Sequence, residues 1–233
     1  MLVLFGVLLT IAVYCMSKRL YQKSANLIFS PLLVCPLIVI AVLTVFQISY
    51  ETYNSGGQLL SMMLQPAMVA LAVPVYKYRS ILKTYIVEIL ISVTVGSIVA
   101  IITSMGAAKL LGMNSHMISS LVPRSITTPM AMNVSQLLGG DPAITAVLVI
   151  VSGLTGVLLT SVLLKWTPAG SPITKGMMFG ASAHGTGTSR AYELGSLEGA
   201  IASLAMVFMG IITTVIAPAL VPFGFHLLSR FSS

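Results

Sequence analysis

The chain has 233 residues, of which 57% are hydrophobic and only 7% are charged, and its mean hydropathy is +1.01. A water-soluble protein with this composition would lack the polar side chains to cover its surface, so an integral protein of the lipid bilayer is expected. The net charge of +7 would suggest a nucleic-acid partner in a soluble chain. Here the basic residues lie in short loops between apolar runs, with no aromatic-interleaved basic surface, and no nucleic-acid partner is expected.

Six apolar runs set the expected architecture. Crossing about 30 Å of hydrocarbon takes roughly 17 to 25 helical residues. The first run is shorter, but it has no basic segment before it and no small-residue cleavage site after it, which favours a retained span over a removed signal peptide. The fold class expected is therefore an all-α polytopic membrane protein with about six full transmembrane helices. These predicted helices cover residues 2–16, 29–50, 57–76, 84–106, 143–164 and 197–222.

Two basic loops predict the orientation of these helices. Short cytoplasmic loops of membrane proteins are enriched in lysine and arginine, so both loops are placed in the cytoplasm. A turn predicted at Glu51–Gly57 between them then lies outside. The first loop contains Lys18, Arg19 and Lys23, and the second contains Lys77, Arg79 and Lys83.

Two further segments, 117–140 and 176–195, are apolar runs interrupted by proline, glycine, serine and threonine. Glycine costs about 1 kcal/mol relative to alanine inside a helix. Irregular backbone at membrane depth is tolerated only where it is buried in protein or lines a polar cavity, so both segments are expected to be broken helices of a binding or conduction element. At an offset of 57 positions, Ser125 aligns with Ser182, Asp141 with Glu198, Ala143 with Ala200, Ile144 with Ile201 and Gly153 with Gly210.

This alignment predicts an internal repeat with units 117–164 and 176–222. If each broken segment enters the membrane and returns to the same side, the units are inverted and Lys165 and Lys175 are cytoplasmic. If each segment crosses completely, the repeats are parallel and both lysines lie outside. The re-entrant, inverted arrangement fits the basic residues better. Residues 1–106 are then expected to form a scaffold and residues 107–233 the transport core.

The first broken segment is predicted to bind an anion. Pro123 and Pro129 each remove a backbone donor. A half-helix that starts near Thr128 would have Pro129 at its first helical position and its positive end at the break. Such helix ends bind anions, including carboxylates. The candidate substrate-binding residues of this segment are Arg124, Ser125, Thr127 and Thr128.

The second broken segment offers a matching set of polar groups. Two breaks that meet in the middle of the membrane would form a small polar pocket bearing Arg124 and Arg190. A guanidinium group can hold a carboxylate through two parallel hydrogen bonds, and nearby hydroxyls would recognise an adjacent keto or hydroxyl group. The candidates in this segment are Ser182, His184, Gly185, Thr186, Gly187, Thr188 and Arg190.

Purely structural explanations of these residues stay open. Arg124 also fits a side chain that extends to the membrane interface. Arg190 also fits an ion pair with Glu193 or Glu198, one or two turns away. His184 also fits a packed contact between helices. Ionisable side chains within a membrane are nevertheless costly enough that a functional site is the default hypothesis.

His184 is the preferred candidate for proton coupling, because histidine titrates near neutral pH; Glu193 and Glu88 are the other candidates. An enzyme is not expected, since the chain has no GxSxG, HExxH or paired aspartate motif. Residues two apart, such as Ser182 and His184, do not face each other as a nucleophile and its base. The two cysteines lack metal-ligand spacing, so no metal and no cofactor are expected.

Three stretches of the chain resemble the LrgB/CidB family of bacterial membrane proteins, which includes the plastid glycolate/glycerate translocators. They read PAMVALAVPVYKYRSILK at 66–83, RSITTPMAMNVSQLLGGDPAITAVLVIVSG at 124–153 and GMMFGASAHGTGTSRAYELGSLEGAIASLAM at 176–206. Together they cover most of the chain in the same order, and GASAHGTGTSRA is the most specific run. The motif residues at matching positions are Pro66, Pro74, Arg124, Ser125, Thr127, Thr128, Pro129, His184, Gly185, Thr186, Gly187, Thr188, Arg190 and Glu193.

The resemblance implies a multi-pass protein of the bacterial cell membrane that works beside a small LrgA/CidA-type partner. Two functions follow from it. One is a carrier, proton-coupled or not, that moves pyruvate, glycolate, lactate or similar 2-oxo and 2-hydroxy acids by alternating access. The other is a holin- or antiholin-like modulator of murein hydrolase activity and cell lysis. The expected anion pocket favours the carrier, because a pore-forming holin needs no arginine-bearing broken helices. Such carriers are often homodimers, which is the assembly expected.

Overall fold

The computed structural model describes residues 2–24, 29–63, 66, 69–70, 72–166 and 170–230. This part of the chain is helical and contains no strand, which confirms the all-α fold class. The helices are α1 Leu2–Ser24, α2 Pro31–Val45, α3 Tyr50–Met62, α4 Ala72–Lys77, α5 Arg79–Thr84, α6 Ile86–Leu110, α7 Ser115–Leu121, α8 Thr128–Leu137, α9 Pro142–Trp166, α10 Pro172–Leu194 and α11 Ser196–Arg230, with a 3₁₀ turn at Val122–Ser125.

Four of the described helices, α1, α6, α9 and α11, are long and apolar enough to cross a membrane. They correspond to the predicted spans 2–16, 84–106, 143–164 and 197–222, which are therefore confirmed as helices. Among the described residues these four match predicted spans, and shorter helices accompany them. The two remaining runs, 29–50 and 57–76, contain shorter elements, and part of the second run lies outside the described residues.

The turn predicted at Glu51–Gly57 is wrong, because α3 covers it. Local polar groups start this helix earlier than apolar composition suggests. The Ser49 side chain caps the helix by accepting a hydrogen bond from the Thr52 backbone N–H at 3.3 Å, which is a favoured way to begin a helix. The helix before it, α2, ends at Val45, and Gln47 in the link between the two helices has a positive φ of 53°.

The chain divides into two compact units, Met1–Ala72 and Val73–Ser233. In the first unit α1 packs against α2 and α3. Gly6 lies directly against the Tyr53 backbone, and the hydroxyls of Thr10 and Tyr53 are 2.9 Å apart. The division into a 1–106 scaffold and a 107–233 transport core is a statement about function and stays a prediction; structurally, α6 belongs to the second unit.

The second unit is built on three long helices. Helices α6 and α11 run parallel, since Gly96 of α6 lies against Met209 and, further along both helices, Met105 lies against Gly224. Buried aliphatic side chains of α6, α7, α8, α9 and α11 form one core. The two broken segments pack into this framework as helical hairpins.

Hairpin 1 comprises residues 115–137. Its first arm, α7 with the 3₁₀ turn, runs parallel to α9, because Ser120 contacts Thr145 and, further along both segments, Arg124 contacts Ser152. The chain turns at residues 126–127, and α8 returns to the start of α9, where the hydroxyls of Ser135 and Thr145 hydrogen-bond at 2.7 Å.

Hairpin 2 is α10, residues 172–194, which reverses at His184. The first arm runs parallel to α11, with Gly176 against Ile201 and Gly180 against Ala205. The second arm runs back, since Gly187 packs against the Phe179 backbone and Tyr192 lies against Gly199 near the start of α11. The broken segment is therefore re-entrant, and the fully crossing alternative is wrong.

The hairpins enter the second unit from opposite ends of α9. Hairpin 1 returns to the first turn of α9, whereas hairpin 2 begins at Pro172, with only five residues between it and the last residue of α9 at Trp166. Five residues cannot span back along a 25-residue helix, whose length is about 37 Å. Each hairpin is followed by a long helix that starts at the same end of the unit as that hairpin. Because the two hairpins enter from opposite ends, the two units form the inverted repeat predicted from the 57-residue offset.

Candidate functional site

At the tip of hairpin 1, the N-terminus of helix α8 faces the interior of the second unit. Ile126 and Thr127 are extended, and α8 begins at Thr128 with Pro129 in its first turn, as predicted. The first helical hydrogen bond runs from the Ala131 N–H to the Thr127 carbonyl at 2.9 Å. The backbone N–H groups of Thr128 and Met130 precede that bond, so they point their positive dipole at the tip.

The Thr127 side chain adds an unused polar group to this tip. It is 9% exposed, and its hydroxyl makes no hydrogen bond within the described part of the chain. Threonine at an N-cap usually accepts a bond from its own helix, but Thr127 does not. The Thr127 hydroxyl is thus buried and available to hydrogen-bond a ligand.

The tip of hairpin 2 is a single residue, His184, with φ 38° and ψ −121°. This conformation resembles the first central position of a type II′ turn, which glycine dominates. The ring is 5% exposed, contacts the Val149 backbone, and has no hydrogen bond at Nε2 within the described residues. A non-glycine residue held in such a conformation is a reason to suspect function.

The two tips are equivalent in the repeat, because Thr127 and His184 lie 57 positions apart. Both side chains are buried, and both carry a polar atom without a hydrogen bond in the described chain. A Cβ atom on Gly153 would lie 2.7 Å from His184 Cε1 and 2.7 Å from Thr186 Oγ1, so the second tip packs closely on α9.

Arg124 is the cationic group of the site. Its Nε donates to Ser104 Oγ and its Nη1 donates to Ser152 Oγ, both at 3.2 Å. These bonds use two of the five N–H donors of the guanidinium group. No described carboxylate forms an ion pair with it. Because Ser152 is near the middle of α9, Arg124 lies level with the centre of a membrane-length helix, which does not fit a side chain extended to the interface.

A cleft of about 450 Å³ joins Arg124 to hairpin 2 along one side of α9. Ser152, Thr160 and Ser182 supply hydroxyls to its wall, and the hydroxyls of Thr160 and Ser182 are 2.8 Å apart. The described lining contains one cation, Arg124, and no acidic residue. This arrangement suits a single negative charge.

The structure brings only some of the predicted site residues together. Arg124 and Ser182 line the cleft, whereas Ser125, Thr127 and Thr128 form the tip of hairpin 1 and do not line it. The ring of His184 and Thr186 lie against Gly153, one position along α9 from the Ser152 that binds Arg124. The remaining predicted residues of hairpin 2 are Gly185, Gly187, Thr188 and Arg190.

These remaining residues serve the hairpin itself. Gly187 allows close contact with the Phe179 backbone, and the Thr188 hydroxyl donates to the His184 carbonyl at 2.9 Å. Arg190 forms an ion pair with Glu193, as the alternative explanation expected, and does not line the cleft.

The proton-coupling candidates differ in burial. Glu193 is 50% exposed in its side chain and paired with Arg190. Glu88 is exposed in the first turn of α6. His184 alone of the three is buried at a hairpin tip.

Sequence reasoning missed the residues that the long helices contribute, namely Ser104, Ser152, Gly153 and Thr160. They lie in runs that look like plain membrane spans. A signal was available, because Ser152, Gly156 and Thr160 recur every four residues and so fall on one face of a helix. Only the packing of both hairpins against that face identifies it as the wall of a site.

The comparisons with known proteins agree on one family. The sequence model of the LrgB-like family matches residues 10–223. The chain is 46% identical to the uncharacterized protein YwbG of Bacillus subtilis over 215 residues, which are 92% of this chain and 96% of that protein. It is 34% identical to the antiholin-like protein LrgB of Bacillus cereus over 220 residues, covering 94% of this chain and 96% of the relative. No solved structure matches the chain.

Proposed function

This chain belongs to the LrgB-like family, and we propose that its molecular activity is to carry small monocarboxylates across the bacterial cell membrane. The observation that carries the proposal is Arg124, a cation level with the middle of α9 that has no ion-pair partner among the described residues. An unpaired charge in such a place is costly, and a bound anion would compensate it.

The groups around Arg124 support a carboxylate as that anion. Planar guanidinium groups bind carboxylates through paired hydrogen bonds. The start of α8, four residues along the chain from Arg124, adds a positive helix end, and Ser152 adds a hydroxyl that suits a 2-oxo or 2-hydroxy group. Pyruvate, glycolate and lactate share these features, and binding them involves no enzymatic step.

The inverted repeat supports alternating access as the mechanism. Many carriers hold substrate between two inverted units at half-helix ends and expose it to each side by moving one unit against the rest. In this proposal the end of the second unit that carries Lys165 and Lys175 faces the cytoplasm, in keeping with the positive-inside rule. The carrier works as a homodimer.

Uptake into proteoliposomes tests the proposal directly. Purified protein is reconstituted alone, and uptake of labelled pyruvate and glycolate is followed with and without an imposed pH gradient. Saturable uptake above that of empty liposomes is expected. Its absence, both alone and with a co-reconstituted LrgA/CidA-type partner, would contradict the carrier function.

We predict that His184→Gln removes the stimulation of uptake by a pH gradient while exchange of labelled for unlabelled substrate continues. Glutamine keeps a polar side chain at the buried tip but cannot take up a proton near neutral pH. The measurement is uptake at several imposed gradients, compared with exchange at equal pH.

His116→Gln is the matched control, since His116 is exposed near the start of α7. It is expected to leave gradient stimulation intact. Equal stimulation in wild type and His184→Gln would show that His184 does not couple transport to protons.

Several relatives are named antiholin-like, which favours the second function that the resemblance implies, a modulator of murein hydrolase activity and lysis acting with an LrgA/CidA-type partner. The two functions are separable. Wild type and Arg124→Gln are expressed in a bacterium lacking its own LrgB-family protein, and murein hydrolase activity and lysis are measured. Control of lysis that persists in a variant unable to take up carboxylate would assign the regulatory function to a different surface.

A further inference from the structure

The cleft beside Arg124 is long and runs along α9. Its lining extends from Leu148 to Leu163, sixteen residues that span about 22 Å of helix. Arg124 meets α9 at Ser152, so about 16 Å of the cleft continues from the cation towards Leu163. A three-carbon acid bound at Arg124 would leave most of this length unused.

The wall beyond Arg124 is aliphatic. Leu159 and Leu163 line it, together with the glycine face at Gly156. The nearby hydroxyls are already bonded within the protein: Thr155 donates to the Val151 carbonyl, and Thr160 pairs with Ser182. A ligand in this part of the cleft therefore meets apolar surface and satisfied polar groups.

We infer that the cleft binds monocarboxylates with an aliphatic tail, with the carboxylate at Arg124 and the tail along α9 towards Leu163. The inference rests on the proposed role of Arg124 and adds the substrate class. A second carboxylate is disfavoured, because it would meet this aliphatic wall with no described cation to pair with it. A single charge at one end of an apolar cleft is complementary to one carboxylate bearing a hydrocarbon chain.

Binding of straight-chain acids of increasing length tests the inference. Purified protein in nanodiscs is equilibrated with labelled butyrate, hexanoate and octanoate, and binding to empty nanodiscs is subtracted. Each added methylene that enters the cleft is expected to tighten binding by about fourfold. Succinate, with two carboxylates, is expected to bind more weakly than butyrate, which has the same number of carbons.

Compounds of matched length separate this site from a general affinity for hydrocarbon. Hexylammonium and 1-hexanol are expected to show no saturable binding, since neither can pair with Arg124. Arg124→Gln is expected to remove the binding of hexanoate. Equal binding of hexanol and hexanoate would overturn the inference, because it would indicate a groove that holds lipid acyl chains.

Two variants on the same helix test the position of the tail. Leu159→Ser is expected to weaken octanoate binding by about fivefold to tenfold. Ile150→Ser is the matched control, since Ile150 is a comparably exposed residue of α9, 52% against 60%, that does not line the cleft. Equal effects of the two changes would overturn the inference.

Failure of the tail site can be distinguished from failure of the proposed carrier function. If pyruvate is taken up but the binding of straight-chain acids does not depend on their length, the carrier function is supported and the tail site is overturned. Saturable, Arg124-dependent octanoate binding without uptake of any acid would support the tail site and contradict the carrier.

Discussion

Arg124→Gln is expected to lower carboxylate uptake by at least about 100-fold, whereas Arg190→Gln lowers it far less. Removing one partner of a buried charge pair costs about 2 to 5 kcal/mol, and about 2.7 kcal/mol corresponds to 100-fold. Arg190 is paired with Glu193 and does not line the cleft. The comparison therefore decides which arginine of the two broken segments binds substrate.

The measurement is the initial rate of uptake into proteoliposomes at equal protein content. Glutamine at position 124 carries its amide where Arg124 has Nε, the atom that bonds Ser104, and it adds no charge, so the variant is expected to fold. Arg79→Gln controls for the loss of one positive charge, because Arg79 lies at the start of α5, where its guanidinium group packs over the Tyr76 ring. If Arg190→Gln abolishes uptake and Arg124→Gln does not, the assignment of the cleft as the substrate site is wrong.

Gly187→Ala is expected to destabilise the protein by about 3 kcal/mol or more and to abolish uptake. A Cβ atom at position 187 would overlap the Phe179 carbonyl oxygen, and a backbone atom cannot rotate away as a side chain can. Overpacking of this kind usually costs about 1 to 3 kcal/mol, and more where the backbone must move. The arms of hairpin 2 would have to separate, which would displace His184.

Gly185→Ala is the matched control two residues away. A Cβ atom there meets nothing within 4 Å. The substitution is therefore expected to be neutral, or to stabilise the protein by about 0.4 to 1 kcal/mol because alanine lowers the conformational entropy of the unfolded chain. Thermal unfolding in detergent distinguishes the two, with a Tm about 6 to 12 °C lower for Gly187→Ala. Similar Tm values for both variants would contradict the close packing of the two arms.

The local breaks of this fold could be predicted because they depend on neighbouring residues. Pro129 fixes where α8 begins, since proline is favoured in the first helical turn. The run of glycines around His184 marks a segment that cannot continue as one helix. Even so, the sequence did not distinguish His184 from its neighbours as the turning point, because a histidine is not the residue that a positive φ favours.

The short helices of the first unit show where apolar composition misleads. The run 29–50 is long enough to cross a membrane, yet α2 ends at Val45 and a new helix begins after the Ser49 cap. Hydropathy reports whether a segment tolerates lipid, and it does not report where a helix stops. Capping and turn geometry decided that boundary.

The sequence by itself determined that this is a helical membrane protein of the LrgB-like family with two broken, repeated segments, because composition, proline and glycine positions and motif order are local properties of the chain. Only the tertiary structure decided that both segments are re-entrant, that Arg124 rather than Arg190 lines the cleft, and that Ser104 and Ser152 hold it. The reason is that these contacts join residues 20 to 28 positions apart on different helices. The spacing of residues along one helix predicts which of them share a face, but only helix packing determines what that face meets.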